Sequence, residues 1–213
     1  MRKQFFTGLL VILLALGLAF IGCDNGSTGN PAEQEVQALP EFEGEFVASE
    51  SDASSLAAQA QTQIEAVITD AIANGSFVQS LQNNARAAGL DPAGTYTYNG
   101  VTVTYSYTVT DSYPTPPYSV NFDYDATIDG TYSGYKIVGR YHWKYNMDYA
   151  SSSLYSVKVV YDCVYTVSYN GYGMKVIQTG NMDISSSGSV SYNLHYSVYD
   201  NSNVRQFNYD YSY

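Results

Sequence analysis

Apolar and polar side chains alternate along residues 96–213, and this period of two is that of a β-strand with one buried face. In VTVTYSYTVT, residues 101–110, Val and Tyr occupy one face while Thr and Ser occupy the other. Residues 118–126, 135–149 and 155–169 repeat the alternation, and all 23 tyrosines lie in this part of the chain. Because tyrosine and valine favour strands, the pattern predicts a sheet with a tyrosine-rich inner face.

Turn signals separate the alternating runs. Each is a pair of residues that tolerates positive φ angles, and such pairs favour tight antiparallel hairpins. The pairs are Asn99-Gly100, Asp129-Gly130, Asn170-Gly171, Ser187-Gly188 and Asp200-Asn201. Because strands joined by hairpins pair with each other, we predict an antiparallel meander of seven to eight strands over residues 95–213.

The segment before the sheet has the period of a helix. Its apolar residues recur at steps of three and four and form one stripe. They are Leu56, Ala60, Ile64, Val67, Ile68 and Ala71. Asn74-Gly75 is a typical helix end, and Ser76 can cap a second helix. We therefore predict a helical hairpin over residues 52–89 that packs on the sheet.

The helices and the sheet together predict a single α+β domain over residues 49–213. Seven strands make a sheet about 30 Å wide, and two helices, each about 10 Å across, cannot cover it. We therefore expect the sheet to curl into a half-barrel or a barrel-like form, with a Tyr- and Val-lined groove beneath the helices. The residues predicted to line this groove are Tyr141, Trp143, Tyr145, Tyr161 and Tyr165.

The N-terminus has the features of an export signal. Arg2 and Lys3 precede a largely apolar stretch at residues 5–21. This stretch is at the lower limit of length for a membrane-spanning helix, and no basic flank follows it. A short basic start, an apolar middle and small residues near a cleavage point are typical of a secretory signal peptide.

The end of that stretch carries a more specific motif. The sequence FIGC, residues 20–23, resembles the signal of bacterial lipoproteins, in which a peptidase cleaves before the cysteine and that cysteine is acylated. Phe20 stands where leucine is usual. The resemblance covers the first 23 residues, and it implies a signal peptide at residues 1–22 and membrane anchoring through acyl chains on Cys23.

Residues 23–48 have the composition of a tether. They are rich in Gly, Ser, Pro and Glu, as flexible or extended linkers are. The segment contains six acids and no base: Asp24, Glu33, Glu35, Glu41, Glu43 and Glu45. Because these charges repel each other, we predict an extended acidic tether between the lipid anchor and the domain.

The charge balance excludes nucleic acid as a partner. The 213 residues include 20 acids and 9 Lys and Arg, a formal net charge of −11. Binding to a phosphate backbone requires clustered basic side chains. Lys136, Arg140, Lys144 and Lys158 do gather on the polar faces of neighbouring predicted strands. There they either balance acidic neighbours or form a modest docking surface.

The candidate chemical groups do not converge on a reaction. His142 and His195 fall on polar strand faces, and no feature of the sequence brings them together. The acids of residues 123–130 lack the glycine and glutamate of an EF-hand calcium loop, although a looser cation site stays open. Cys163 falls on an apolar face, as buried structural thiols do. We therefore predict no catalytic residue, no metal, no cofactor and a non-enzymatic protein.

These features predict a membrane-anchored lipoprotein of the bacterial cell envelope that faces the periplasm or the cell exterior. It would act as a binding or interaction module, whose partners are the membrane and an envelope protein or an apolar ligand. One alternative is a carrier of an apolar or lipid ligand in the groove, similar in shape to periplasmic lipoprotein carriers. A second is an outer-membrane β-barrel component, because the last predicted strand, residues 206–213, ends on an aromatic residue.

Overall fold

The computed structural model describes residues 31–74, 93–109, 115–150 and 154–212. Within these ranges the chain forms two helices and nine strands. The helices are α1 (Pro31–Ala38) and α2 (Glu50–Asn74). The strands are β1 (Glu45–Phe46), β2 (Ala93–Tyr98), β3 (Val101–Val109), β4 (Tyr118–Tyr132), β5 (Tyr135–Tyr149), β6 (Leu154–Tyr169), β7 (Tyr172–Ile184), β8 (Val190–Tyr199) and β9 (Arg205–Ser212). Neither described helix has both the length and the apolar character needed to span a bilayer.

All nine described strands belong to one sheet, and the broad α+β prediction is confirmed. Strands β2 to β9 pair in chain order, each antiparallel to the next. β1 adds a strand that the sequence analysis did not predict, since it pairs in parallel with β7. The sheet is therefore larger than the predicted seven to eight strands. β2 and β9 do not pair with each other, so the described sheet is open and does not close into a barrel.

Residues with positive φ angles form the tight hairpins. Asn99-Gly100 has φ angles of 47° and 79°, and Asn170-Gly171 has 50° and 82°. A two-residue turn of this type requires positive φ at both positions. The turn predicted at Asp129-Gly130 is wrong, because β4 continues to Tyr132 and the chain turns at Ser133-Gly134. Gly130 is instead a strand residue, since the Tyr132 ring occupies the space of a Cβ atom there.

The predicted alternation is confirmed most clearly in β5. Its buried residues alternate with partly or fully exposed residues, most of which are polar. The buried set is Tyr135, Ile137, Tyr141, Trp143, Tyr145, Met147 and Tyr149. This inner face of the sheet forms the main core with α2.

α2 covers the inner face with its apolar stripe. Ser49 caps the helix, because its Oγ accepts a hydrogen bond from the backbone N–H of Asp52 at 3.1 Å. The buried residues of the helix are Ala53, Leu56, Ala57, Ala60, Ile64 and Ile68. The second helix of the predicted hairpin, residues 76–89, lies outside the described residues, so the structure does not test the hairpin.

Residues 31–42 pack on the outer face of the sheet instead of extending as a tether, whereas Phe46 and Val47 pack in the main core. Helix α1 forms a second, smaller core with β6, β7 and β8. This core contains Ala32, Val36, Val164, Ile177 and Tyr199. Phe42 is also buried, and it packs against Gly173 at the start of β7. The apolar residues of this segment therefore bind it to the domain although its composition is that of a linker.

The acids of this segment contact bases of the sheet. Three glutamates form ion pairs across the outer face: Glu35 with Arg140 at 2.9 Å, Glu43 with Lys136 at 2.6 Å and Glu33 with Arg205 at 3.7 Å. The basic patch predicted on β5 thus neutralises the chain's own N-terminal segment in part. The repulsion that predicted an extended tether is offset by these contacts.

Lys175 binds the same segment through hydrogen bonds from its ammonium group. This residue of β7 is 2% exposed. Its Nζ donates hydrogen bonds to the carbonyl oxygen of Leu39 at 3.2 Å, to that of Val36 at 3.5 Å and to Oδ1 of Asn203 at 2.8 Å. A positive charge at the C-terminal end of a helix also interacts favourably with the helix dipole. Lys175 therefore provides a donor to one carbonyl in the last turn of α1 and to the carbonyl that directly follows the helix.

Candidate functional site

The five residues predicted to line a groove lie together on the inner face of β5 and β6. All are buried in the main core, from 0% exposure for Tyr141 and Tyr165 to 8% for Tyr145. Cross-strand pairing places Trp143 opposite Tyr161, and Tyr165 opposite Gly139. The period of two in each strand therefore brings their rings onto one surface beneath α2.

The rings form a continuous aromatic surface. Tyr141 and Tyr165 stack with ring centroids 5.2 Å apart. Trp143 makes edge-to-face contacts with Tyr145 at 6.5 Å and with Tyr161 at 6.3 Å. Both arrangements are favourable for aromatic quadrupoles. The surface is thus preorganised by contacts among its own members.

This surface contains buried polar atoms that make no hydrogen bond with any described residue. They are the hydroxyls of Tyr141 and Tyr165, the indole Nε1 of Trp143 and the side-chain Oε1 of Gln178. A buried polar atom without a partner costs about 1–3 kcal/mol of folding free energy. Such atoms are uncommon in folded proteins, and several in one place indicate a water or ligand site.

Gln178 is a site residue that the sequence analysis missed. It occupies the inner face of β7, opposite Cys163 of β6 and Tyr196 of β8. Its neighbours on that face, Met174, Val176 and Met182, are apolar and buried. The sequence feature that could have identified Gln178 is a polar residue at a position where the alternation of the strand predicts an apolar one.

Cys163 lies within the same surface and is fully buried. Burial raises the pKa of its thiol to about 12, and the nearby Trp143 indole opposes this shift only in part. The Trp143 nitrogen does not reach hydrogen-bond geometry with any described residue, the sulfur included. Because the thiolate is the nucleophilic form, the group is a structural thiol at neutral pH.

Glu65 is the second residue that the sequence analysis missed, and it is a partly buried carboxylate of α2. It is the single charged residue of α2 between Asp52 and Asp70. Gln61 Nε2 donates a hydrogen bond to Glu65 Oε1 at 2.8 Å. Burial raises the Glu65 pKa to about 7, and the Gln61 hydrogen bond opposes that shift. The carboxyl group of Glu65 therefore titrates closer to neutral pH than an exposed glutamate does.

The two histidines lie on the outer face, away from this surface. His142 lies 2.5 Å from a carboxylate oxygen of Asp123, and His195 lies 2.5 Å from one of Asp210. Pairing through β6 and β7 separates the two histidines by three strand spacings, about 14 Å. They cannot bind one metal ion together. No group of three or more His, Cys, Asp or Glu side chains suited to a metal is found among the described residues.

The predicted lipidation site, Cys23, lies outside the described residues. The site beneath α2 is thus defined by an aromatic surface, unpaired polar atoms and one partly buried carboxylate. Comparison of the chain with protein-family models, with curated proteins and with solved structures finds no match.

Proposed function

We propose that the chain is a lipoprotein of the bacterial cell envelope, anchored in a membrane through acylated Cys23, and that its domain is a non-enzymatic binding module. The ligand would bind between α2 and the inner face of β5, β6 and β7. The observation that carries this proposal is the set of buried polar atoms on that face without a described partner. A ligand with complementary groups would remove their desolvation cost.

The sheet curls around α2 as a half-barrel in this proposal. Contacts of the helix with strands β2 to β6 support it. Tyr209 of β9, the last strand of the sheet, belongs to the same buried core as Ala53 and Leu56 of the helix. One helix with contacts near both edges fits a concave sheet better than a flat one.

The chemistry of the site favours an amphipathic ligand over a plain acyl chain. An acyl chain would bury the rings of Tyr141 and Tyr165 but would leave their hydroxyls unpaired. A ligand with a polar group at one end could satisfy these atoms and still cover the aromatic surface. The alternative of a lipid carrier is therefore retained only for lipids whose polar headgroup enters the site.

The anchor would hold this site close to the bilayer. Residues 31–47 pack on the domain, so the link to the lipid consists of the residues between Cys23 and Pro31. Eight residue steps span at most about 28 Å when fully extended. The module would therefore act on ligands at or near the membrane surface.

Native mass spectrometry of protein extracted from its own membranes tests the anchor and the ligand together. We expect a chain that lacks residues 1–22, carries acyl groups on Cys23 and releases a small molecule on collisional activation. The variant Cys23→Ser should lose the acyl mass and the membrane association, because stable anchoring needs two or more acyl chains. A full-length, unacylated mass for the wild type would contradict the anchor, and a wild-type domain without any bound molecule would contradict the binding module.

Substituting Tyr165→Phe tests whether the unpaired hydroxyls serve a ligand. In the ligand-free protein we expect the variant to be more stable by about 1 kcal/mol, because a desolvated hydroxyl is removed. The matched control is Tyr135→Phe, whose hydroxyl donates to Gln59 Oε1; its loss should destabilise the protein by about 1 kcal/mol. Urea unfolding measures both values, and an equal loss in the two variants would show that the Tyr165 hydroxyl has a partner.

A further inference from the structure

Two tyrosines at the turn end of the sheet, Tyr135 and Tyr169, stack face to face, and we call them the turn-end pair. Their ring centroids are 3.9 Å apart, and the ring planes differ by 4°. Tyr135 is the first residue of β5, and Tyr169 is the last residue of β6. Because Lys136 pairs with Ser168, the two tyrosines lie directly opposite each other on adjacent antiparallel strands. The register of the sheet therefore sets the stack.

The two rings of the turn-end pair extend in the same direction. Each tyrosine lies two positions from a fully buried residue of the inner face, Ile137 in β5 and Val167 in β6, so both belong to that face. Side chains on one face of a sheet stand roughly perpendicular to it. The hydroxyl groups therefore lie at the same end of the stack. The Cε atoms, which are ortho to the hydroxyls, are consequently neighbours.

One ring of the pair is accessible, and the other is held in place. Tyr169 is 37% exposed, whereas Tyr135 is 7% exposed. The Tyr135 hydroxyl donates a hydrogen bond to Gln59 Oε1 of α2 at 2.5 Å. The Tyr169 ring lies beside Gly134 in the adjoining turn. An oxidant in solution can therefore reach Tyr169, and Tyr135 lies within stacking distance of the radical that forms there.

The other cross-strand tyrosine stacks of the described sheet are wider than the turn-end pair. The ring centroids of Tyr118 and Tyr149 are 4.7 Å apart with planes at 13°. Those of Tyr196 and Tyr209 are 5.0 Å apart with planes at 13°, and both of these residues are buried. The turn-end pair thus combines a shorter separation with an exposed ring.

We propose that the turn-end pair is a site of oxidative cross-linking, at which a haem peroxidase and hydrogen peroxide join the two tyrosines as dityrosine. The exposed ring is oxidised first, and its radical passes to the buried ring by transfer of one electron and one proton between the adjacent hydroxyls. A second oxidation of the exposed ring completes a pair of phenoxyl radicals. This inference depends neither on ligand binding nor on the membrane anchor.

The coupling step balances with one molecule of peroxide. Phenoxyl radicals carry unpaired spin on the Cε atoms, and two neighbouring Cε atoms form a C–C bond. Each ring then regains its aromaticity as the hydrogen on the bonded Cε is lost as a proton and the oxygen takes up a proton. In total the two phenols lose two electrons and two protons. Hydrogen peroxide accepts them and gives two molecules of water.

The cross-link would join two strands at the centre of the sheet. It would close a covalent loop between residues 135 and 169. A link of this kind restricts the unfolded chain, as a disulfide does. We therefore expect the cross-linked protein to unfold at a higher urea concentration than the untreated protein.

Oxidation of the full-length protein in detergent with a haem peroxidase and hydrogen peroxide tests the site. We expect a monomer that is lighter by two hydrogen atoms and shows dityrosine fluorescence. Its yield should stay constant over about a tenfold range of protein concentration, because the partners are already in contact. Tandem mass spectrometry should assign the link to Tyr135 and Tyr169, in tryptic peptides that end at Lys136 and Lys175.

Two variants on either side of one turn complete the test. Tyr169→Phe keeps a stacked ring but cannot form a phenoxyl radical, so it should lose both the intramolecular link and the gain in resistance to urea. Tyr172→Phe removes another exposed hydroxyl, directly opposite Tyr169 across the Asn170-Gly171 turn, and should cross-link as the wild type does. Near-ultraviolet circular dichroism confirms that each variant is folded.

Several outcomes would overturn the inference. They are a wild type that forms no dityrosine, a wild type linked mainly between molecules or between Tyr169 and Tyr172, and an equal yield of the intramolecular link from Tyr169→Phe. An equal yield of the Tyr135–Tyr169 link from protein unfolded in urea would also overturn it, because the fold would then contribute nothing. None of these results bears on the proposed binding function, which the native mass measurement tests separately.

Discussion

Replacing Gly139 with alanine is expected to lower the free energy of unfolding by about 3 kcal/mol. Gly139 of β5 pairs with Tyr165 of β6. A Cβ atom at this position would lie 2.4 Å from the Val164 carbonyl oxygen and 2.5 Å from the Tyr165 Cα atom. Both obstacles are backbone at the centre of the sheet, so no side-chain rotation relieves the clash. Either the two strands separate locally, or the Tyr165 ring leaves its stack with Tyr141.

Urea unfolding followed by Trp143 fluorescence measures this loss. Gly188→Ala is the matched control, because Gly188 has a positive φ of 82° but open space around its Cα atom. Its cost should be about 1 kcal/mol, the penalty of a side chain in the left-handed region. Equal losses in the two variants would mean that strand β6 yields easily, and then the aromatic surface beneath α2 is not rigid.

The alternation of the strands was predictable because it depends on local periodicity alone. Strands β3 to β9 each correspond to a run in which apolar and polar side chains alternate. Strands that are consecutive in the chain pair with each other. The error at Asp129-Gly130 has a physical reason. A residue pair with turn propensity also fits inside a strand when the glycine lies beneath a large ring, as Gly130 does beneath Tyr132. The conformational propensity of a residue shows which backbone conformations it can adopt. Packing with its neighbours determines which of them it adopts in the fold.

The docking of residues 31–47 was not predictable from their composition. The acids suggested self-repulsion, but their charge partners are distant in sequence, as Glu35 and Arg140 are. Phe42 shows the same point, since its backbone N–H and carbonyl both bond to the side chain of Asn201. Contacts between residues so far apart become visible only when the sheet is assembled.

The aromatic part of the site followed from the strand pattern, whereas its polar part did not. Tyr141 and Tyr165 share a face because of their spacing. Glu65 lies beside the apolar stripe of α2. The helical periodicity shows that this position is at the edge of the buried face, but it does not show which strand packs against that edge. Gln178 looked like an exception in an apolar run. Its meaning depends on Cys163 and Tyr196, which lie opposite it on the neighbouring strands.

The docking of the N-terminal segment leads to the second large effect, at Lys175. We expect Lys175→Met to destabilise the protein by about 3 kcal/mol and to release α1 from the sheet. Methionine fills most of the same volume, but it leaves the Leu39 and Val36 carbonyl oxygens and Asn203 Oδ1 without their buried donor. Burial already lowers the Lys175 pKa, so the charge is held in place by these acceptors and not by exposure to water.

Limited proteolysis with a glutamate-specific protease distinguishes release of α1 from general unfolding. The segment from 33 to 45 contains five glutamates, which should be protected in the wild type and cut in Lys175→Met while the sheet stays intact. Lys158→Met removes an exposed lysine from β6 and should leave both protection and stability unchanged. If Lys175→Met keeps the glutamates protected, the ion pairs of Arg140 and Lys136 must hold the segment by themselves. In the proposed lipoprotein, release of α1 would add residues 31–38 to the link between Cys23 and the domain, so the length of that link would depend on one buried lysine.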